Sequence, residues 1–182
     1  MPTRTVAVAS AVGLHARPAA LFASAVAVAV RPTTVVRAAV AGHVVPLDDV
    51  DDKVFASRAL GEGVGIVPSD GTIHAPVSGV LALVASTGHA YGIRTDDGVE
   101  VLVHVGIDTV RMGGKGFQVF VTQGERVEAG DRLATVDLDA VRAAGYDPTT
   151  IVVVTNTKAF AAVRPLPGRE VSATETVIEI DK

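Results

Sequence analysis

The spacing of turn residues constrains the fold more than any other feature. Beyond about residue 40 the chain divides into short Val-rich runs, interrupted at Pro68-Ser69-Asp70-Gly71, Asp96-Asp97-Gly98, Gly113-Gly114-Lys115-Gly116 and Gly124. Short β-branched runs bounded by Gly, Pro and Asp form strands joined by tight turns. Strands are expected near 43–47, 64–67, 72–75, 79–85, 90–95, 99–105, 117–121, 131–136, 150–155 and 174–180. The spacing predicts an all-β domain, an antiparallel β-sandwich or flattened barrel of short strands. One short helix is expected from Leu138 to Ala144, capped by Asp137 and ended by Gly145.

The first residues read differently. Thr3 to Val8 suits a strand, Val12 to Pro18 a loop, and Ala19 to Val28 a small-residue helix stopped by Pro32. Thr34 to Val40 is extended again. Residues 1–47 carry Arg4, Arg17, Arg31 and Arg37 and no acid; the net charge of −4 therefore leaves −8 on residues 48–182. This step divides the chain into a short β-α extension, residues 1–36, and a main domain, residues 37–182. About 35 residues bury too little surface to fold alone, so the extension is not expected to be an independent domain.

Several function classes drop out. The absence of Cys excludes disulfides, thiol chemistry and thiolate metal sites. The longest uncharged apolar run, Pro18 to Val30, falls short of a membrane span. Arg4 and Arg17 ahead of that run would suit a targeting peptide, but His15 and Arg17 directly before it favour a cytoplasmic protein. No basic cluster with interleaved aromatics supports nucleic-acid binding.

The informative segment runs from His89 to His104 and reads as a hairpin turning at Asp97-Gly98. A two-residue loop would pair His104 with Tyr91, and a four-residue loop would pair it with His89. Either register puts both imidazoles on one face; only a bulged or odd-numbered loop would separate them. A neutral imidazole is a good nucleophile near neutral pH, and a second can donate a hydrogen bond to an incoming phosphoryl group. Thr87 would project to the same face and orient His89. The competing reading is a pair of half-buried sheet histidines, or two ligands of an incidental zinc site. Zinc takes more ligands than two, and His74, on a neighbouring strand, could face either way.

The octet Val103-His104-Val105-Gly106-Ile107-Asp108-Thr109-Val110 resembles the active-site signature of the glucose-type enzyme IIA of the bacterial phosphoenolpyruvate-dependent sugar phosphotransferase system. Gly42 to Leu47, Val54-Phe55-Ala56, Gly61-Glu62-Gly63, Ala75 to Gly79, Gly88-His89-Ala90, Gly116-Phe117 and Gly124 to Val127 extend the resemblance in order. It implies an antiparallel β-sandwich in which His104 accepts a phosphoryl group from the carrier HPr and passes it to a IIB domain of a sugar permease. His89 and Thr87 would support the transfer, and no cofactor is required. It also implies an apolar docking ring of Phe55, Ala59, Leu60 and Leu102, for which ordinary core is the alternative. Ala85 stands where relatives often carry a larger side chain. Asp108 would be the acidic residue near the site, or a turn-stabilising carboxylate. Proteins of this type also regulate transporters and metabolic enzymes through the same face, and work transiently at the inner face of the membrane beside their permease. The sugar is not legible.

Residues Gly13-Leu14-His15-Ala16-Arg17-Pro18-Ala19-Ala20 resemble the start of HPr itself, which would make His15 a second phosphosite and Arg17 its clamp. The rest of HPr is missing, so a vestigial site is expected; a membrane-touching helix at 16–30 lacks the charged face it needs. Other families fit less well. Biotinyl and lipoyl carriers share turn motifs, but neither Lys115 nor Lys158 has the context of their modified lysine. His104 and Asp108 match one element of lysostaphin-type zinc endopeptidases, yet no histidine follows His104. Gly113 to Gly116 lacks the spacing of a P-loop and reads as a turn.

Overall fold

The computed structural model describes residues 33–182, so the strand, helix and phosphosite expected within residues 1–32, with His15 and Arg17, lie outside the described residues. In chain order the elements are β1 (Thr33–Arg37), β2 (Gly42–Pro46), α1 (Lys53–Ala56), β3 (Glu62–Pro68), β4 (Thr72–His74), β5 (Gly79–Val84), β6 (Ala90–Arg94) and β7 (Glu100–Val105). They continue with β8 (Phe117–Val119), β9 (Arg126–Val127), β10 (Arg132–Val136), α2 (Leu138–Ala143), β11 (Thr150–Val154), β12 (Ala162–Pro165), β13 (Arg169–Val171) and β14 (Thr176–Asp181). The strands form an eight-stranded sheet in the order β13-β2-β3-β11-β7-β6-β5-β9 and two three-stranded sheets, β1-β14-β12 and β4-β10-β8.

The main core lies between the large sheet and the two small ones: Val64, Tyr91, Val103 and Val152 on the former pack with Val36, Ile73, Leu133, Ile178 and Ile180 on the latter. The result is an antiparallel sandwich with open sheets; β13 and β9 end the large sheet without closing it into a barrel. Each strand expected from the sequence within the described residues is present. Those missed, β9, β12 and β13, are two to four residues long, and β12 ends in Pro165, so neither alternation nor composition marks them. Helix α2 forms where Asp137 accepts a hydrogen bond from the Ala140 N–H, and Gly145 follows it with φ +84°.

The large sheet is covered on both faces at its centre, which is why β11 (Thr-Ile-Val-Val-Val) is buried at every position. Its second face carries a cross-strand row of Val45, Gly65, Ile151, His104 and Ala90. The 47–56 segment lies over this face, and Leu47, Val50, Phe55, Ile107, Ile151 and Val153 form a second, smaller core. Gly65 permits the approach, since a Cβ there would stand 2.8 Å from Val50 Cγ2 and 2.9 Å from Val45 Cγ2.

The start of β1 and the C-terminus meet at the tip of the β6–β7 hairpin. Thr33 pairs with Asp181. Asp97 accepts hydrogen bonds from Thr34 Oγ1 at 3.0 Å and from Thr95 and Lys182. Strand β1 spans Thr33–Arg37, across the boundary expected at residue 37, and buries Val36 completely. Arg37, counted with the basic segment in the charge step, lies in β1 and donates to the Thr174 carbonyl.

Two outcomes follow for stability. Deleting residues 1–37 is expected to lower the melting temperature clearly below that of a chain lacking residues 1–32, because only the longer deletion strips β1 from Ile178 and Ile180. The Lys182 and Thr95 hydrogen bonds hold the Asp97 carboxyl down at about 2, below its usual 3.8. A depressed carboxyl stabilises the fold above its unfolded value and loses that contribution as pH falls through the folded one. Asp97→Asn should therefore be less stable than the parent in urea at pH 6, with the gap closing between about pH 4 and 2.

Candidate functional site

Strands β6 and β7 pair Ala90 with His104 and Arg94 with Glu100, leaving a five-residue loop from Thr95 to Val99. The loop is odd-numbered because the Thr95 hydroxyl accepts the Val99 N–H at 2.9 Å and the Thr95 N–H reaches the Val99 carbonyl. This corrects both expected registers: His104 faces neither Tyr91 nor His89. By strand alternation alone the histidines would then point to opposite faces. They meet nonetheless, with ring centroids 5.1 Å apart and planes at 78°. His89 lies outside the regular strand, after Gly88 at φ +72°, and its ring turns back over β7. Gly88 also admits β8: a Cβ there would stand 2.7 Å from Val119 Cγ2.

Thr87 Oγ1 lies 2.6 Å from His89 Nδ1, so the expected orienting contact is present. His104 is half-buried, with the Phe55 ring edge-on at 5.2 Å. Its Nδ1 is buried and makes no hydrogen bond, which leaves Nε2 as the accessible nitrogen. Burial pushes the His104 ring below the usual imidazole value and the neighbouring His89 adds to this; the Gly106 backbone, Asp52 and Asp108 oppose it. Burial lowers His89 as well. Both rings are therefore neutral near pH 7.

The expected docking residues divide. Phe55 is only 4% exposed and packs against His104, supporting the imidazole from inside the second core, in line with the core alternative stated for it. Ala59 and Leu60 are exposed, and Leu102 is half-buried beside the same core. Val54 is 51% exposed and Val110 is exposed too; neither stood out in the sequence. Asp108 is exposed in left-handed backbone, φ +57°, ahead of a 3-10 turn, and lies 3.7 Å from Arg111. It thus serves the turn and also adds negative potential felt at His104. Asp52 escaped notice: it caps α1 by accepting the Val54 and Phe55 N–H groups, and its charge also reaches His104. Its one sequence signal was an Asp directly ahead of Lys53-Val54-Phe55-Ala56, a helix too short to show periodicity.

His74 does not join the pair; it lies in the β4 sheet and its Nδ1 meets the Gly130 carbonyl at 2.9 Å. Among the described residues no three His, Asp or Glu side chains gather as a metal site, so the pair supplies two ligands at most. Gly113 to Gly116 forms turns that run into β8 and lie near Thr87. Among the described residues no helix is long and apolar enough to cross a membrane.

Comparison with known proteins places these features in a family. Residues 34–160 match the family described as phosphoenolpyruvate-dependent sugar phosphotransferase system, EIIA 1. The glucose-specific EIICBA component of Streptococcus pneumoniae is 45% identical over 140 residues, covering 77% of this chain and 19% of that protein. The glucose-specific EIIA component of Bacillus cereus is 40% identical over 141 residues, covering 78% of this chain and 84% of that protein. The glucose permease IIA structure from Mycoplasma capricolum superposes with a TM-score of 0.75 at 40% identity, over 81% of this chain and 96% of that one. The chain spans about a fifth of the length of relatives named as EIICBA or EIIBCA components.

Nuclear magnetic resonance titration should place the midpoints of both His89 and His104 below 6.5. Asp108→Asn removes a charge that opposes the shift and should lower the His104 midpoint further. A His104 midpoint at or above 6.5 would contradict the desolvated ring.

Proposed function

We propose, for a chain that belongs to the EIIA 1 family of the phosphoenolpyruvate-dependent sugar phosphotransferase system, that His104 Nε2 accepts a phosphoryl group from HPr and passes it to the IIB domain of a sugar permease. One observation carries this reading: two neutral imidazoles stand 5.1 Å apart, one with its inner nitrogen buried and the other oriented by a hydroxyl. The Nε2 lone pair attacks phosphorus, and the donor's P–N bond breaks with its electron pair returning to the donor imidazole. With the Thr87 hydroxyl donating to Nδ1, His89 keeps its proton on Nε2 and donates to the phosphoryl oxygens. As the new P–N bond forms, positive charge grows on the His104 ring. The Gly106 backbone, Asp52 and Asp108, which favour a protonated ring, offset that charge. Onward transfer to IIB repeats the exchange with this ring as leaving group.

The work is cytoplasmic in this reading, at the inner face of the membrane when the permease is engaged, and residues from Thr33 onward form the phosphocarrier domain. The exposed Leu60 and Val54 and the half-buried Leu102 offer partners apolar surface, and Asp108 offers charge. No cofactor takes part. Zinc at His89 and His104 would be incidental and would compete with phosphate for the same nitrogens.

Incubation with phosphoenolpyruvate, enzyme I and HPr should label His104, by mass-spectrometric mapping. His104→Ala should lose that label; label persisting anywhere but His15 would overturn the assignment. His89→Gln should still accept phosphate but pass it to IIB about 10²-fold more slowly, the usual loss for one preorganised donor. Unchanged transfer would remove His89 from the mechanism.

A further inference from the structure

Tyr91 is the largest fully buried side chain, and nothing in the transfer chemistry calls for its hydroxyl. It lies on β6 in the row of Val84, Val103 and Val152, facing the main core, on the opposite side of the sheet from His104. A buried hydroxyl needs a partner, and this one donates to the Gly88 carbonyl at 2.8 Å. Burial raises its pKa to about 12, so it stays a donor throughout the working pH range.

The Gly88 carbonyl belongs to the peptide plane that leads into His89. That plane is where the chain leaves the strand pleat. The rest of the turn is fixed from the ends: Gly88 N–H donates to the Ala85 carbonyl at 2.8 Å, Ala85 N–H to Ala90 at 2.9 Å, and Val105 N–H to His89 at 2.7 Å. None of these sets the rotation of the Gly88–His89 plane, and glycine at φ +72° has wide freedom there. The five-residue hairpin loop would send the two imidazoles to opposite faces, so their convergence depends on that rotation.

We propose that Tyr91 is a positioning residue for phosphoryl transfer: its hydroxyl, reaching from the core face, holds the Gly88 carbonyl and so turns His89 and its Thr87 contact toward His104. This rests on the phosphocarrier reading for its kinetic consequence, but its geometric content is independent of it.

Tyr91→Phe keeps the ring and removes the donor. In the unphosphorylated full chain, nitrogen-15 spectra of the His89 ring should show the Nδ1 signal shifted and broadened, with the titration midpoint moving up toward 6.5 as the ring loosens from its partly buried place. In transfer to IIB, kcat should fall roughly 10-fold with KM for IIB unchanged, less than the about 10²-fold that a full ångström of misplacement costs. In the His89→Gln background, Tyr91→Phe should have no further effect on kcat, because the hydroxyl acts through His89. A lowered melting temperature with unchanged His89 spectra and unchanged kcat would make Tyr91 a structural residue only and overturn the proposal. An additive loss in the double variant would do the same. If Tyr91→Phe fails to fold, Gly88→Ala tests the same plane: strained backbone at +72° and the approach to Val119 should displace the His89 signals, and unperturbed signals would overturn the proposal. Should the parent itself fail to accept phosphate from HPr, the phosphocarrier reading falls, whereas the spectra still decide the role of Tyr91.

Discussion

A partly desolvated imidazole is the constraint around which this domain is arranged. His104 is a nucleophile only while neutral, and the structure keeps it neutral by burial against Phe55 and beside His89. An unpartnered buried nitrogen costs about 1–3 kcal/mol. Burial of a side chain such as Phe55 contributes about 1.5–3 kcal/mol, enough to offset it. That packing requires the 47–56 segment to lie close on the sheet, which Gly65 alone in its row makes possible by lacking a Cβ. The neighbouring carboxylates of Asp52 and Asp108 act the other way on the ring without overcoming burial.

Much of this was legible in the chain itself. The strands stood out because Val runs alternate with Gly, Pro and Asp, and α2 because Asp137 and Gly145 mark its ends. The histidine pair was identified, but for a reason that does not hold. Turn chemistry at Asp97-Gly98 suggested an even loop; the Thr95 side chain competes with the backbone and closes an odd one. The rings converge only because Gly88 takes a positive φ, a conformation that a sequence permits but does not announce. For Phe55 the chain left docking ring and core both open, because a four-residue helix shows no face and its burial depends on Ile151 and Val153, remote in sequence.

The two faces of the large sheet divide the work. One is core: Val64, Val152, Val103 and Tyr91 pack under the small sheets. The other is chemistry: Ile151, His104 and Ala90 on one row, Val153, Leu102, Gly92 and Leu83 on the next. Because side chains alternate, each strand serves both, and a change on one face reaches the other only where the chain departs from its pleat, as it does between Gly88 and His89.

The meeting of the start of β1 and the C-terminus at Asp97 has a consequence for how such a domain is carried. From Glu100, where β7 leaves the hairpin loop, to His104 is five residues of strand, roughly 15 Å at the usual rise. Thr33 and Lys182 thus lie side by side at one pole of the described domain, while the histidine pair lies toward the other. The same geometry suits covalent insertion into a longer polypeptide, since adjacent ends add little to the loop a host must close.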